Sequence, residues 1–280
     1  MTSLHLKKSI DRSPLRLGFL LAALALGSFV ICPMAQAVSP PPDGGYPGGN
    51  TAERNSALRD LTTGTFNTAV GLFSLTLNTG GDFNTGVGAS ALRNNTTGNQ
   101  NTAVGTDALR NNITGFTNTA NGYQALYGNN TGHGNTGVGA AALSGNRTGN
   151  ANTGVGAGAL ALNNANGNTA VGSAALAANT IGAGNTAVGL AALLRNTRGS
   201  GNTALGANAL ASINGSSGET SLNTAVGLNA LSEATSSFEC TAVGSSALER
   251  NTTGFGNTAL GANALKGNTT GADNIAFTAS

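Results

Sequence analysis

The residues that could do chemistry are few and scattered. The chain carries two histidines, His5 and His133, and His133 lies in a glycine-flanked stretch between Gly132 and Gly134. Acid–base or nucleophilic catalysis needs titratable groups that converge. Asp107, Glu219, Glu233 and Glu249 instead fall at unrelated points of the pattern described below. A calcium-binding nonapeptide array would need a recurring Asp, and none recurs. A phosphate cradle would need Gly-Lys-Ser/Thr after one of the glycine-rich turns, and none is found. The expectation is therefore no enzyme: no catalytic residue, no cofactor-binding residue, no metal ligand and no cofactor.

Composition points the same way. Glycine accounts for 43 of 280 residues, charged residues for 9%, aromatics for 4%, and tryptophan is absent, so an ordinary globular core would be poorly supplied. Lys7, Lys8, Arg12 and Arg16 precede an apolar run from Leu17 to Ile31, and Ala35-Gln36-Ala37 then offers small residues at the spacing a signal peptidase reads. Residues 1–37 are expected to be a secretory signal peptide cleaved after Ala37, which makes the mature chain secreted or cell-surface with no membrane span. Its removal leaves nine basic and ten acidic residues, so no basic patch remains to suggest nucleic acid. Residues 38–49, VSPPPDGGYPGG, read as a Pro/Gly-rich flexible linker.

From residue 50 the chain is periodic. Units begin at residues 50, 67, 84, 101, 118, 135, 152, 168, 185, 202, 223, 240 and 257, with a truncated one at Asn274; ten of the twelve spacings are 17, and the others are 16 and 21. A short fixed period of this kind means a solenoid. Counting each unit from its Asn-Thr, column 1 is Asn in twelve of thirteen units, Cys240 being the exception, and column 2 is Thr in all thirteen. Column 3 holds Ala or Gly, column 4 mostly Val, column 5 Gly except at Arg54, column 8 Ala except at Ser74, and column 9 Leu throughout. Most units close with a polar turn such as Asn94–Gly98.

Two glycines and an Asn-Thr pair per unit disfavour helix. The expected fold is all-β: a parallel β-solenoid over residues 50–280, of about thirteen 17-residue coils, each with two short strands, Thr-Ala-Val and x-Ala-Leu-x. Alternation along the first strand is expected to turn Thr and Val inward, opposite Leu, and to leave column 3 as a place for close packing against another chain. Stacked column-1 asparagines would form amide ladders. Unit 50 is degenerate at Glu53 and Arg54, as befits a capping coil, and the 21-residue unit is expected to loop out INGSSGETS, residues 213–221, without disturbing the Leu register. Asn95, Asn112, Asn146, Asn251 and Asn268 fit the glycosylation triplet, although the repeat itself already demands them. Cys240 reads as a tolerated small residue rather than an intermolecular link.

NTAVG, NTALG and NTGVG resemble the head repeats of YadA-like trimeric autotransporter adhesins, over residues 50–277. The resemblance implies a left-handed β-roll, a homotrimer and binding to host matrix or another surface. Here the unit is longer and its strand shorter than the family's, and no heptad stalk or run of membrane strands is evident. The functional expectation is an exported, non-enzymatic adhesin or structural rod that displays variable residues such as Phe73, Asp107, Tyr123, Tyr127, Arg195 and Arg198. The alternative is an ice-binding solenoid using threonine arrays, against which stands the inward placement expected for column 2.

Overall fold

The computed structural model describes residues 46–214 and 222–277. The signal-peptide reading and most of the linker lie outside these residues, as does the 215–221 part of the long unit. The described part of the linker, Tyr46 to Gly49, turns back on itself, with Gly48 and Gly49 at positive φ and a bridge from Tyr46 to Asn50.

Each unit contributes one parallel strand, from Thr51–Glu53 in the first to Ile275–Ala276 in the last, and among the described residues these form a single sheet of fourteen strands in chain order. The register is strictly column to column: Thr102 pairs with Thr119, Ala103 with Ala120 and Val104 with Asn121. It survives the 21-residue unit, across which Thr203 pairs with Thr224 and Leu205 with Val226. Three-residue strands are short because Gly ends them. In column 5 Gly105 has φ 129°, and a Cβ there would come 2.6 Å from the carbonyl oxygen of Gly122 in the next coil. Stacked glycines are what let adjacent coils approach at this corner.

Coil-to-coil hydrogen bonding continues all the way round. Between the fourth and fifth coils Thr102 N donates to Asn118 O (2.8 Å), Gly122 N to Val104 O (2.8 Å), Leu109 N to Ala125 O (3.0 Å) and Ile113 N to Asn130 O (2.9 Å). This satisfies backbone groups that such a thin coil could not hide from water or pair within itself.

The expected second strand is instead a pair of turns. Ala108 N donates to Gly105 O and Asn112 N to Leu109 O, and Asp107 and Leu109 sit at φ 58° and 50°. The same left-handed pair recurs along the stack, so column 9 is a leucine in the left-handed region in every coil from Leu58 to Leu265. That conformation costs a non-glycine residue about 1–2 kcal/mol, and full burial of a leucine side chain, worth about 1.5–3 kcal/mol, offsets it.

The facing of the first strand also differs from expectation. Column 3 points inward: Ala69, Ala103, Ala120 and their equivalents are fully buried, while Thr and Val of columns 2 and 4 point outward, half-buried or exposed, as at Thr102 and Val104. Alternation holds, but its phase is set by size. The coil interior beside Leu and the column-8 Ala has room for a methyl group and no more. Column 3 is therefore core, and cannot be a surface against which another chain packs.

Two halves make up that core. One is apolar, of Ala and Leu; the other is amide. In column 1, Asn118 Nδ2 donates to Asn101 Oδ1 (3.1 Å) and to Gly132 O (2.8 Å), and its own Oδ1 accepts from Asn135 N (3.0 Å) and Nδ2 (3.2 Å). A second ladder, unforeseen from the sequence, occupies column 12: Asn95, Asn112 and Asn129 each donate to the Oδ1 of the preceding coil's Asn (2.7, 2.7 and 2.8 Å) and to a glycine carbonyl three residues on. Column 15 is Gly in most coils, Ser237 being an exception, because a Cβ at Gly98 would meet Gly115 O at 2.3 Å and Asn95 Oδ1 at 2.4 Å. The one-residue deletion in the coil beginning at Asn152 is absorbed here, with the Ala165 carbonyl accepting from both Asn152 and Asn163.

Candidate functional site

With the interior filled by ladders and apolar contacts, function falls to the outward columns. The residues singled out from the sequence do not converge. Phe73 and Asp107 belong to column 7, Tyr123 to column 6, Tyr127 to column 10, Arg195 to column 11 and Arg198 to column 14. Asp107 and Tyr127 are the two that the structure connects. Arg110 lies between them, 3.5 Å from the Asp107 carboxylate and 5.9 Å over the Tyr127 ring.

His133 is exposed and stacks on Phe116 of the preceding coil at 4.6 Å, with the rings 4° from parallel. Of the acids, Glu249 is paired with Lys266 at 2.9 Å, and this contact holds its carboxyl below the usual carboxylate range. Glu219 lies outside the described residues, among which no group of three or more His, Cys, Asp or Glu could hold a metal ion.

Cys240 is fully buried at the ladder position of its coil, its thiol 3.4 Å from Gly254 O. Burial pushes that thiol up from its ordinary value. A link to another chain would need the sulfur at the surface, so the intermolecular reading is excluded by geometry. Likewise Asn95, Asn112, Asn146 and Asn251 are buried in the second ladder, out of reach of a glycosylating enzyme once the chain has folded.

Three outward surfaces repeat along the stack. The strand face carries columns 2, 4 and 6: a uniform Thr row, a Val row that includes exposed Val104, Val171, Leu205 and Leu260, and a variable row with exposed Leu72, Tyr123, Leu190 and Leu228. The edge made by columns 16 and 17 stacks rings one coil apart, Phe66 on Phe83 at 5.1 Å and Phe238 on Phe255 at 4.8 Å. The third surface, columns 10 and 11, holds Arg93 over Phe73 at 5.0 Å and the Asp107–Arg110–Tyr127 group. It also contains a recess of about 340 Å³ lined by Asn111, Tyr127, Asn130, Ser144 and Arg147, with Gly128 and Gly145 beneath.

Sequence reasoning missed the recess because its signal is two consecutive glycines in one column, visible only when the copies are aligned. Comparison with protein-family models, with curated proteins and with solved structures returns no match for this chain.

Proposed function

We propose that the protein is an exported, non-enzymatic adhesin or structural rod that makes contact through its outward columns. One observation carries this reading. Columns 6, 7, 10, 11, 14, 16 and 17, which vary in sequence from coil to coil, are outward or half-buried with buried Thr76 as an exception, while the invariant Leu and the near-invariant Asn of column 1 and Ala of column 8 are inside. Variation concentrated on the surface of a largely fixed scaffold is the arrangement of a display surface. By its resemblance to YadA-like heads the rod would be a left-handed homotrimer, and the half-exposed Val row gives such a trimer an apolar face to pack. Light scattering with chromatography on residues 38–280 tests this: a trimer is expected, and a clean monomer at tens of micromolar would contradict it.

A second reading, ice binding, is favoured by a specific feature. The thirteen column-2 threonines face outward in strict register, so the objection that they are inside does not hold. They repeat about 4.8 Å apart along the stack on a single sheet face. Their uniformity is not required by the core. Trimer packing and ice would compete for this face, so the readings separate cleanly. Thermal hysteresis from a monomer would favour ice, whereas a trimer without hysteresis would favour the adhesin.

A further inference from the structure

We infer that the recess on columns 10 and 11 of the coils beginning at Asn118 and Asn135 binds an acidic saccharide, one or two rings long. The inference rests on the adhesin reading and names a ligand class for it.

Side chains in column 10 stack one above another at the coil spacing. Arg110 covers one face of the Tyr127 ring from the preceding coil, at 5.9 Å. On the other side the following coil presents Ser144, which extends no further than a hydroxyl, and beyond it stands Ala161. The ladder therefore stops at Tyr127. In column 11 the same two coils carry Gly128 and Gly145, between Asn111 before them and Leu162 after. A Cβ on Gly128 would lie 2.7 Å from Ser144 O and one on Gly145 2.6 Å from Ala161 O, so these positions are bare because the local backbone leaves no room. The result is a notch with an aromatic wall and a floor of backbone.

The polar groups around it are neutral amides and hydroxyls with one cation, Arg147. Asn111 Oδ1 is engaged by Asn94 Nδ2 at 3.0 Å, which directs the Asn111 amide NH₂ away from that contact, and the Asn130 side chain is exposed. The Tyr127 hydroxyl accepts from Arg110 at 3.5 Å and keeps its own proton to donate, while Ser144 Oγ donates to Ala161 O at 3.5 Å and keeps its lone pairs to accept. Arg147 is exposed and, among the described residues, has no ion-pair partner, whereas Arg110 is held by Asp107. A ring with an apolar face, several hydroxyls and a carboxylate matches this set. The face lies on tyrosine, the hydroxyls meet amides and Ser144, and the carboxylate takes the two-pronged guanidinium of Arg147. The volume, at the lower end for ligand pockets, limits the occupant to a short segment.

The test is a glycan array of uronate- and sialate-bearing oligosaccharides beside their neutral counterparts, probed with the full repeat region and three variants. Ser144→Leu fills the space beyond Tyr127 with a residue that column 10 already holds at Leu194, so it is expected to fold as the parent does and to lose at least tenfold in binding. Tyr127→Ala is expected to do the same, and Arg147→Gln to abolish the preference for acidic over neutral glycans. Binding of no glycan, or equal binding by parent and Ser144→Leu, would overturn the proposal. Adhesion of the Ser144→Leu rod to a coated surface, measured in parallel, separates the two levels. Adhesion by a parent that binds no glycan, or adhesion unchanged in the Ser144→Leu rod that has lost its glycan, sinks the recess as the adhesive site alone, and no adhesion by the parent on any surface sinks the adhesin reading.

Discussion

Cys240 shows what a single amide does in this protein. It stands where twelve other coils have Asn, and its sulfur cannot replace an amide oxygen. Asn257 Nδ2 donates across the core to Asn251 Oδ1 at 3.3 Å and to Gly271 O at 2.7 Å, with no amide oxygen in the preceding coil of its own column. Nearby, Ile213 and Ala234 replace Asn in column 12, and the Asn196 Oδ1 at the end of that ladder segment is left without a hydrogen-bond partner. Cys240→Asn should restore the column and stabilise the protein by about 1 kcal/mol; urea unfolding with an unchanged slope and a higher midpoint would check it. The thiol also sets a pH dependence. Because burial raises its pKa in the folded state, the folded chain holds the proton at pH values where the unfolded chain has lost it. The contribution is intact below the unfolded value of about 8.5 and declines as the pH rises above it. Thermal unfolding of the parent should fall off above that pH more steeply than that of Cys240→Ala, and parallel curves would refute the assignment.

At the scale of one coil, much was legible and one phase was not. The period, the strand Thr-Ala-Val, the column-1 ladder and the preserved register across the long unit follow from which residue types recur and at what spacing. The inward or outward phase of that strand does not, because alternation alone gives two choices and hydrophobicity selects Val over Ala. The deciding quantity is interior width, which depends on Leu arriving from the opposite side through a left-handed turn that leucine rarely adopts. That turn was equally invisible in the sequence, where x-Ala-Leu-x looks like a strand. In the long unit the register holds, yet Ile213, expected in the loop, is fully buried in the core. The observed phase makes an unusual prediction. Ala103→Val, a small apolar change, should cost about 1–3 kcal/mol by overpacking, while Val104→Thr should stay within about 0.5 kcal/mol as a surface change. Denaturant titration of the two variants decides it, and the opposite order would mean that Val is the inward residue after all.

Over the whole repeat region, stability is the sum of coils and their interfaces, since each coil touches its neighbours along the stack. Fourteen strands spaced about 4.8 Å apart give a sheet roughly 60 Å across, with the same outward columns running its length. The candidate recess could not be read from one unit, because it is made by what two neighbouring units lack. The adhesin and ice readings differ in whether the Thr/Val face meets another chain or solvent, and both depend on that face being continuous.

Continuity of the stack is measured most directly by distances between spin labels on outward column-4 residues, in a background lacking Cys32 and Cys240. Pairing a label at Val104 with one at Val138, Val155, Val171 or Val188 in turn should give separations that grow by about 5 Å for each additional coil. Distances that fail to increase in regular steps, or that jump by the length of 17 helical residues, roughly 25 Å, would contradict the one-coil-per-repeat solenoid.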